Sequence, residues 1–246
     1  MVILYEPDNS KYLNLIKVLD AFTTVILVSN DNEVRNCGNR KNFSFDNIGT
    51  GGAYNFIINN FNFNYLWVWD QDTLINHEQV QKFLCHIPVF ENDSQYCSLS
   101  FSDKYNCVDY ALGEYDIIKY GKASGTLFKS SAIKEVGNFM EDLFLDYVDY
   151  EYFLRLRSFN FIPLQIRELE CESHILGDAQ DTLFFGRKHV SSPKRWHLQK
   201  INTLKLNKLM YIPLSLKLKL SVRILFLFVY AIIFKDRKKR LVYLLK

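Results

Sequence analysis

Through residues 1–86 short apolar runs alternate with stretches of helical spacing, and that rhythm admits few folds. Val2–Tyr5 reads as a strand that stops at Pro7. Asp8, Asn9 and Ser10 can cap a helix over about Lys11–Asp20, where Leu13, Ile16, Lys17 and Asp20 recur at helical intervals. Thr24–Val28 is β-branched and bounded by Ser29-Asn30-Asp31-Asn32, which predicts a second, buried strand. A polar stretch to Lys41 reads as loop. Asp46-Asn-Ile-Gly-Thr-Gly-Gly-Ala leads into a helix over about Gly52–Phe61, Tyr65–Trp69 predicts a third strand, and Asn76–His86 a further helix. Such alternation implies βαβ units, an α/β class and a mostly parallel sheet flanked by helices. Ligands of these sheets collect beyond the carboxyl ends of the strands, where Ser29–Asp31 and Asp70–Asp72 fall.

Beyond Tyr96 the pattern changes. Tyr96–Phe128 predicts shorter strands with turns at Gly113, Gly121 and Gly125. Ser131–Val136 and Tyr147–Phe159 read as helices, Phe161–Ile166 and Glu170–His174 as extended segments, and a helical tail starts near Arg187. With 48% hydrophobic residues, 20 Phe and 15 Tyr, the chain can bury a large core, which excludes disordered and collagen-like proteins. Five cysteines without a C-x-x-C pair speak against a disulfide framework or a zinc knuckle and suit a reducing compartment. The opening Met1-Val-Ile-Leu-Tyr-Glu-Pro has neither the basic flank nor the apolar length of a signal peptide. The longest apolar run, Ile224–Phe234, has eleven residues, so no span is expected. A bilayer needs about 20.

The formal net charge of +3 conceals a split. Residues 1–186 carry 14 Lys+Arg against 26 Asp+Glu, a net −12, and residues 187–246 carry 16 against 1, a net +15. In that tail Leu216, Leu218, Leu220 and Val222 alternate with Lys217, Lys219, Ser221 and Arg223. Alternation formally favours a strand, but the Leu and Lys content, and the unbroken apolar run that follows, favour a helix. The run closes with Lys235-Asp-Arg-Lys-Lys-Arg240. Apolar and basic residues together suit a helix lying on an anionic leaflet. Nucleic acid would also accept such a patch, but no recognised nucleic-acid motif is present.

Several motifs could carry chemistry, each with a plainer alternative. Asp70 and Asp72, two apart at a strand terminus, can turn toward one divalent cation and leave room for a diphosphate on the same ion, although Asp is also common in turns. Asp146, Asp149 and Glu151 gather at a helix start, where the dipole favours acids. Glu151 and Arg155 can pair on the surface, or one of the three acids can act as a general base; spacing does not choose. A lone histidine such as His174 is more often structural, yet beside two metal-binding carboxylates it can be a third ligand. Asn47-Ile-Gly49-Thr-Gly51-Gly52-Ala53 lacks the lysine of a phosphate loop, and its glycines serve either close backbone approach or tight helix packing.

Taken in order, these residues resemble one family. Trp69-Asp70-Gln71-Asp72-Thr73, Ser124-Gly125-Thr126-Leu127, Asp142-Leu-Phe-Leu-Asp146-Tyr-Val-Asp149-Tyr-Glu151 and His174-Ile-Leu-Gly-Asp178 are similar to motifs of the inverting GT-A glycosyltransferases of family 2, in the bacterial rhamnosyltransferase-like branch. Asn47-Ile-Gly49 with Ala53 and Asn55 matches a further segment, Arg195 and Asn202 match a looser one, and the resemblance runs from about Val2 to Asn207. It implies a Rossmann-like GT-A domain over residues 1–186, with a nucleotide-sugar half to about 100 and an acceptor half beyond, to which the charge pattern adds a basic helical membrane-associating extension over 187–246. It also implies Asp70, Asp72 and His174 as ligands of Mn²⁺ or Mg²⁺, and Asp149 as the base that deprotonates the acceptor hydroxyl. Glu6, Ser29, Asn30, Asp31, Asn47, Gly49, Asp70, Gln71 and Asp72 would line the nucleotide-sugar site. Ser124, Gly125, Asp146 and Glu151 would stand on the acceptor side. Ser29 occupies a position where the family usually has Asp, and Glu6-Pro7 replaces its Asn-Pro, so the donor base is left open between dTDP and UDP.

The function implied is metal-dependent transfer of a sugar, rhamnose from dTDP-rhamnose foremost, to a lipid-linked surface-polysaccharide intermediate. The partners are then a nucleotide sugar, a lipid-linked saccharide and an anionic membrane, without nucleic acid. The place is the inner face of a bacterial cytoplasmic membrane. Two alternatives remain: a UDP-sugar donor (galactofuranose, galactose or glucose), and a non-catalytic membrane-surface module.

Overall fold

The computed structural model describes residues 1–5, 9–31, 40–171, 178–181, 187–234 and 236–246, with backbone alone at 9–11, 178–181 and 187–190. Strands Val2–Leu4 (β1), Ile26–Ser29 (β2), Lys41–Ser44 (β3) and Tyr65–Asp70 (β4) lie parallel in the order β3-β2-β1-β4. Helices Asn9–Leu19 (α1) and Gly49–Asn60 (α2) connect them, and His77–Leu84 (α3) follows β4. The interior of β4, Leu66–Trp69, is buried throughout, which is why its sequence reads as one unbroken apolar run. Trp67 stacks on Phe83 of α3 with ring centroids 4.7 Å apart, and Phe83 stacks at the same distance on Phe101. Around that stack Val2, Leu4, Leu15, Leu27, Trp69 and Val80 form the core.

Helix Ile87–Glu91 (α4) then leads to strands Tyr96–Ser102 (β5), Cys107–Leu112 (β6), Tyr115–Tyr120 (β7) and Thr126–Lys129 (β8). Helix Ser130–Val136 (α5), a 3-10 turn at Glu141–Leu143, helix Val148–Ser158 (α6) and strand Ile162–Glu170 (β9) follow. All nine strands make one sheet in the order β3-β2-β1-β4-β8-β5-β9-β7-β6. A mostly parallel sheet is thereby corrected to a mixed one: β8 runs antiparallel to both β4 and β5, and β7 antiparallel to both β9 and β6. The β6–β7 pair has a local cause, since those strands are joined by Gly113-Glu114 alone, with Gly113 at φ +59°, and a two-residue link forces a hairpin.

Two smaller expectations also change. The polar stretch ending at Lys41 gives way to an edge strand, β3, because β2 offers it a parallel ladder and Phe43 packs on Phe56 of α2 at 4.8 Å. The helix over Asn76–His86 stops at Leu84, and Pro88 starts a new turn. The start is as the residues suggest: the Asn76 side chain accepts from Gln79 N while the Gln79 side chain returns to Asn76 N.

The backbone forms two compact units, Met1–Phe144 with Val148–Ser173, and Leu145–Tyr147 with His174–Lys246. The second begins its regular structure with an antiparallel pair, Asp178–Asp181 (β10) and Arg187–Val190 (β11), rather than the helix expected from Arg187. Three helices follow: Pro193–Asn207 (α7), Leu214–Ala231 (α8) and Arg237–Leu245 (α9). The alternating Leu/Lys segment is therefore helical. Within this unit Arg240, which the sequence places in a basic surface run, is fully buried. Its guanidinium lies 4.4 Å from the Trp196 ring centroid and 4.3 Å from that of Phe234, and it donates to Asp236 and to the Ser191 carbonyl. A planar cation stacked on aromatics belongs to a core, not to lipid.

Candidate active site

At the carboxyl ends of β1, β2 and β4 stand Ser29, Asn30, Asp31, Asp70, Gln71 and Asp72. Gln71, between the two aspartates, clasps the end of β1: its Oε1 accepts from Tyr5 N at 2.6 Å and its Nε2 donates to Tyr5 O at 2.9 Å. The amide thus fixes the direction in which the chain leaves β4, and with it where Asp70 and Asp72 stand. Asn30 N extends the β1–β2 pairing to Leu4 O at 2.8 Å, and Asn30 Nδ2 donates to Gly49 O at 3.1 Å. Ser29 is fully buried, and Asp31 forms an isolated bridge with Asp46.

One loop, Gly121–Gly125 between β7 and β8, touches both candidate acids, Asp70 through its backbone amide and Asp149 through its carboxylate. Ser124 Oγ accepts from Asp70 N at 2.9 Å and shares a hydrogen bond with Thr73 Oγ1 at 2.9 Å. Ala123 N donates to Asp149 Oδ2 at 3.0 Å. Gly125, at φ +78°, lies close to Phe101, Cys171 and Trp69, and its carbonyl accepts from Trp67 Nε1 at 3.3 Å. Consecutive residues of one loop therefore tie the end of β4 to the start of α6. Replacing Ser124 by Ala removes the acceptor for the Asp70 amide and is expected to cost about 1–2 kcal/mol of stability. Chemical denaturation checks this, and a change within experimental scatter would show that the loop is held by other contacts.

The Asn47–Asn55 segment is a packing device. Asn47 Oδ1 accepts from Gly49 N at 3.2 Å, turning the chain into α2. A β-carbon on Gly49 would stand 2.5 Å from Phe144 O, and one on Gly51 3.2 Å from Glu141 Cα and Met140 O. Asn55 then bonds Phe139 on both backbone groups and reaches Glu141 Oε1 at 2.8 Å. Both readings of these glycines are met at once, because α2 packs by close approach to the main chain of Met140–Phe144, the segment leading to Asp149.

Tyr54, in the same segment, is a residue that its own sequence context does not single out as functional. Burial pushes its phenol well above the ordinary tyrosine range, and the charges of Asp149 and then Asp70 push it further. Both carboxylates thus act on one buried phenol. Cys171 is raised to about 12 by burial first, with Asp103 and Asp70 adding to it. The one local signal for Tyr54 is its place directly before a motif asparagine. Glu151 is fully buried, and Arg155 grips both of its oxygens, at 2.7 and 3.0 Å, while also donating to Val136 O and Asn138 O. The i, i+4 pair does form, but with Glu151 buried rather than on the surface, because α6 lies against the end of α5.

Asp146 belongs to the second unit. Arg195 donates to both its oxygens at 2.8–3.1 Å, and Asn202 Nδ2 donates to its carbonyl at 2.8 Å. Arg195 and Asn202 are two helical turns apart on α7, so the loosely matching pair shares one face and one target. Glu6 and His174 lie outside the described residues. Among the described residues no three His, Cys, Asp or Glu stand close enough to hold an ion; Asp70 and Asp72 contribute two hard oxygen donors.

No family model matches the sequence. The dTDP-rhamnosyl transferase RfbF of Shigella flexneri is 25% identical over 165 residues, covering 61% of this chain and 55% of that protein. The chain thus spans about half the length of this curated relative. S. aureus TarS shares the fold with a TM-score of 0.53 at 12% identity, over 89% of this chain and 41% of that one. Its 1–349 portion in complex with UDP-GlcNAc also scores 0.53, at 13% identity, over 89% and 69%. In sequence the chain is similar to a dTDP-rhamnosyl transferase, and its fold is similar to that of TarS. At such identities the structural likeness speaks for the fold alone. The mixed nine-stranded sheet flanked by helices is that fold.

Proposed function

We propose that this chain is a metal-dependent, inverting glycosyltransferase that moves rhamnose from dTDP-rhamnose to a lipid-linked surface-polysaccharide intermediate at the inner face of a bacterial membrane. The observation that carries the reading is the convergence of Asp70 and Asp149. Ser124 accepts from the Asp70 backbone amide and Ala123 donates to the Asp149 carboxylate, so consecutive residues of one loop hold the two acids. Such a pair suits a one-step displacement with inversion: carboxylates that can hold a cation where the leaving diphosphate gathers charge, and a carboxylate where the acceptor hydroxyl loses its proton. Asp70 and Asp72 would hold Mn²⁺ or Mg²⁺, with His174 as a further ligand, and the cation would supply positive charge to offset that developing on the diphosphate. Asp149 takes the acceptor proton. The clasp of Gln71 on Tyr5 keeps the two aspartates aimed while the donor binds.

Similarity to a dTDP-rhamnosyl transferase favours dTDP-rhamnose as donor. The TarS complex with UDP-GlcNAc supports a second reading, with a UDP-sugar on the same fold. Thermal melts of the full chain with dTDP-, UDP- and GDP-sugars, with and without Mn²⁺, separate them. A ligand at about 100 times its Kd adds roughly 2.7 kcal/mol to the native state. At this chain length that raises Tm by roughly 5–10 °C. The largest shift is expected with dTDP-rhamnose plus Mn²⁺. A larger shift with a UDP-sugar selects the second reading, and no shift with any donor under any metal overturns both.

A further inference from the structure

Helix α8 has two apolar faces, and only one is used by the fold. Leu216, Leu220 and Ala231 are buried, while Leu227 and Phe228 pack against the cluster of Trp196, Ala231, Phe234 and Leu244. On the opposite side Leu214, Leu218, Val222, Leu225, Val229 and Ile232 recur at intervals of four and three residues, which sets them in one stripe. Leu225 is 67% exposed, and Phe226 and Val229 each 66%, so these are whole side chains in solvent rather than edges of a core. Lys219 and Arg223 border the stripe on one side and Lys217 on the other. No described helix is long and apolar enough to cross a membrane.

We propose that α8 lies in the plane of an anionic bilayer, with the Leu218–Val222–Leu225–Phe226–Val229–Ile232 stripe among the acyl chains and its bordering cations at the headgroups. Charge selects this occupant. With 16 basic residues against 1 acid over 187–246, two copies meeting stripe to stripe would press like charge on like, whereas an anionic leaflet neutralises it. The two-faced pattern also fits. The helices packed beneath hold α8 flat, so the exposed face need not find a protein partner to stay folded. Arg240 takes no part, because its charge is spent on Asp236, Ser191 O and two aromatic rings. The inference deepens the membrane half of the proposed function and does not require its chemistry.

The test is co-sedimentation of the full chain with phosphatidylcholine vesicles, with and without phosphatidylglycerol. Partition is expected only with the anionic lipid, falling as salt rises, and about tenfold or more weaker in the triple variant Leu225→Asp, Phe226→Asp, Val229→Asp. Hydrogen exchange on the parent gives an independent reading, with new protection expected over 214–232 on anionic vesicles. Three results overturn the proposal: unchanged partition of the triple variant, no protection over that segment, or a parent dimer that the variant converts to monomer. Donor-induced thermal shifts are measured on the same variant. Lost vesicle binding with retained donor shifts is the expected outcome, and retained vesicle binding without donor shifts would fail the chemistry instead.

Discussion

Asp149→Asn is expected to lower the rate of sugar transfer by about 10³-fold while leaving nucleotide-sugar affinity within about twofold. The substitution is chosen because it changes chemistry and little else. Asp149 Oδ2 accepts from Ala123 N at 3.0 Å, and an asparagine oxygen can accept the same bond. The loop that also positions Asp70 through Ser124 should therefore stay where it is. An amide cannot take a proton at neutral pH, so a base role is lost entirely. By contrast Asp149→Ala would release the loop and confound the chemistry with a shift of Asp70. Single-turnover transfer gives the rate, and calorimetric titration with dTDP-rhamnose and Mn²⁺ gives the affinity. A variant that transfers within about tenfold of the parent would remove Asp149 from the proton path, and equal losses in rate and affinity would make it a structural anchor.

What can be read from the sequence follows from how local each cause is. β4, with four consecutive buried residues, and α3, with its reciprocal Asn76–Gln79 cap, are written in contiguous residues and are legible there. β3 is not, since Lys41-Asn-Phe-Ser is a strand only because β2 leaves an edge for it. The mixed sheet is hidden too, because the order of strands after β4 depends on where β8 inserts, 56 residues beyond Asp70 in the chain at Thr126. In the candidate site Asp70 and Asp72 announce themselves by type and spacing, while Asp149 is told from Asp146 and Glu151 only by the family resemblance. The contacts that support them do not announce themselves. Gln71, Ser124 and Tyr54 matter through partners 66, 54 and 95 positions away respectively, Tyr5, Asp70 and Asp149, and no local pattern encodes such distances.

The charge split is legible as a total and misleading in detail. Arg240 counts with the tail's basic face in the sequence but completes a core, while Leu225, Phe226 and Val229, within the unbroken apolar run, are residues in solvent. Burial thus reverses the obvious assignment: a cation goes in and hydrophobes stay out. Composition alone gives the sign of a surface, and only packing says which side chains make it.

Gly49→Ala is expected to destabilise the fold by about 3 kcal/mol and lower Tm by roughly 6–12 °C, far more than the one methyl added. Two costs coincide. Gly49 has φ +75°, a conformation that costs an alanine about 1 kcal/mol. Its new β-carbon would also stand 2.5 Å from Phe144 O and 2.8 Å from Phe144 Cδ2. That carbonyl cannot simply withdraw, because Thr50 N donates to it at 2.7 Å and Phe144 is itself held at φ 58°. Relief must come from separating the start of α2 from the segment that leads to Asp149, which also pulls Gly49 O from Asn30 Nδ2. Gly113→Ala supplies the control. Gly113 has φ +59°, and a β-carbon there would meet nothing within 4 Å, so it should lose only the conformational cost of about 1 kcal/mol. Paired denaturation curves decide the matter: equal losses at the two positions would mean that the contact with Phe144 yields without resistance, and the excess at Gly49 measures how firmly that packing holds the candidate base in place.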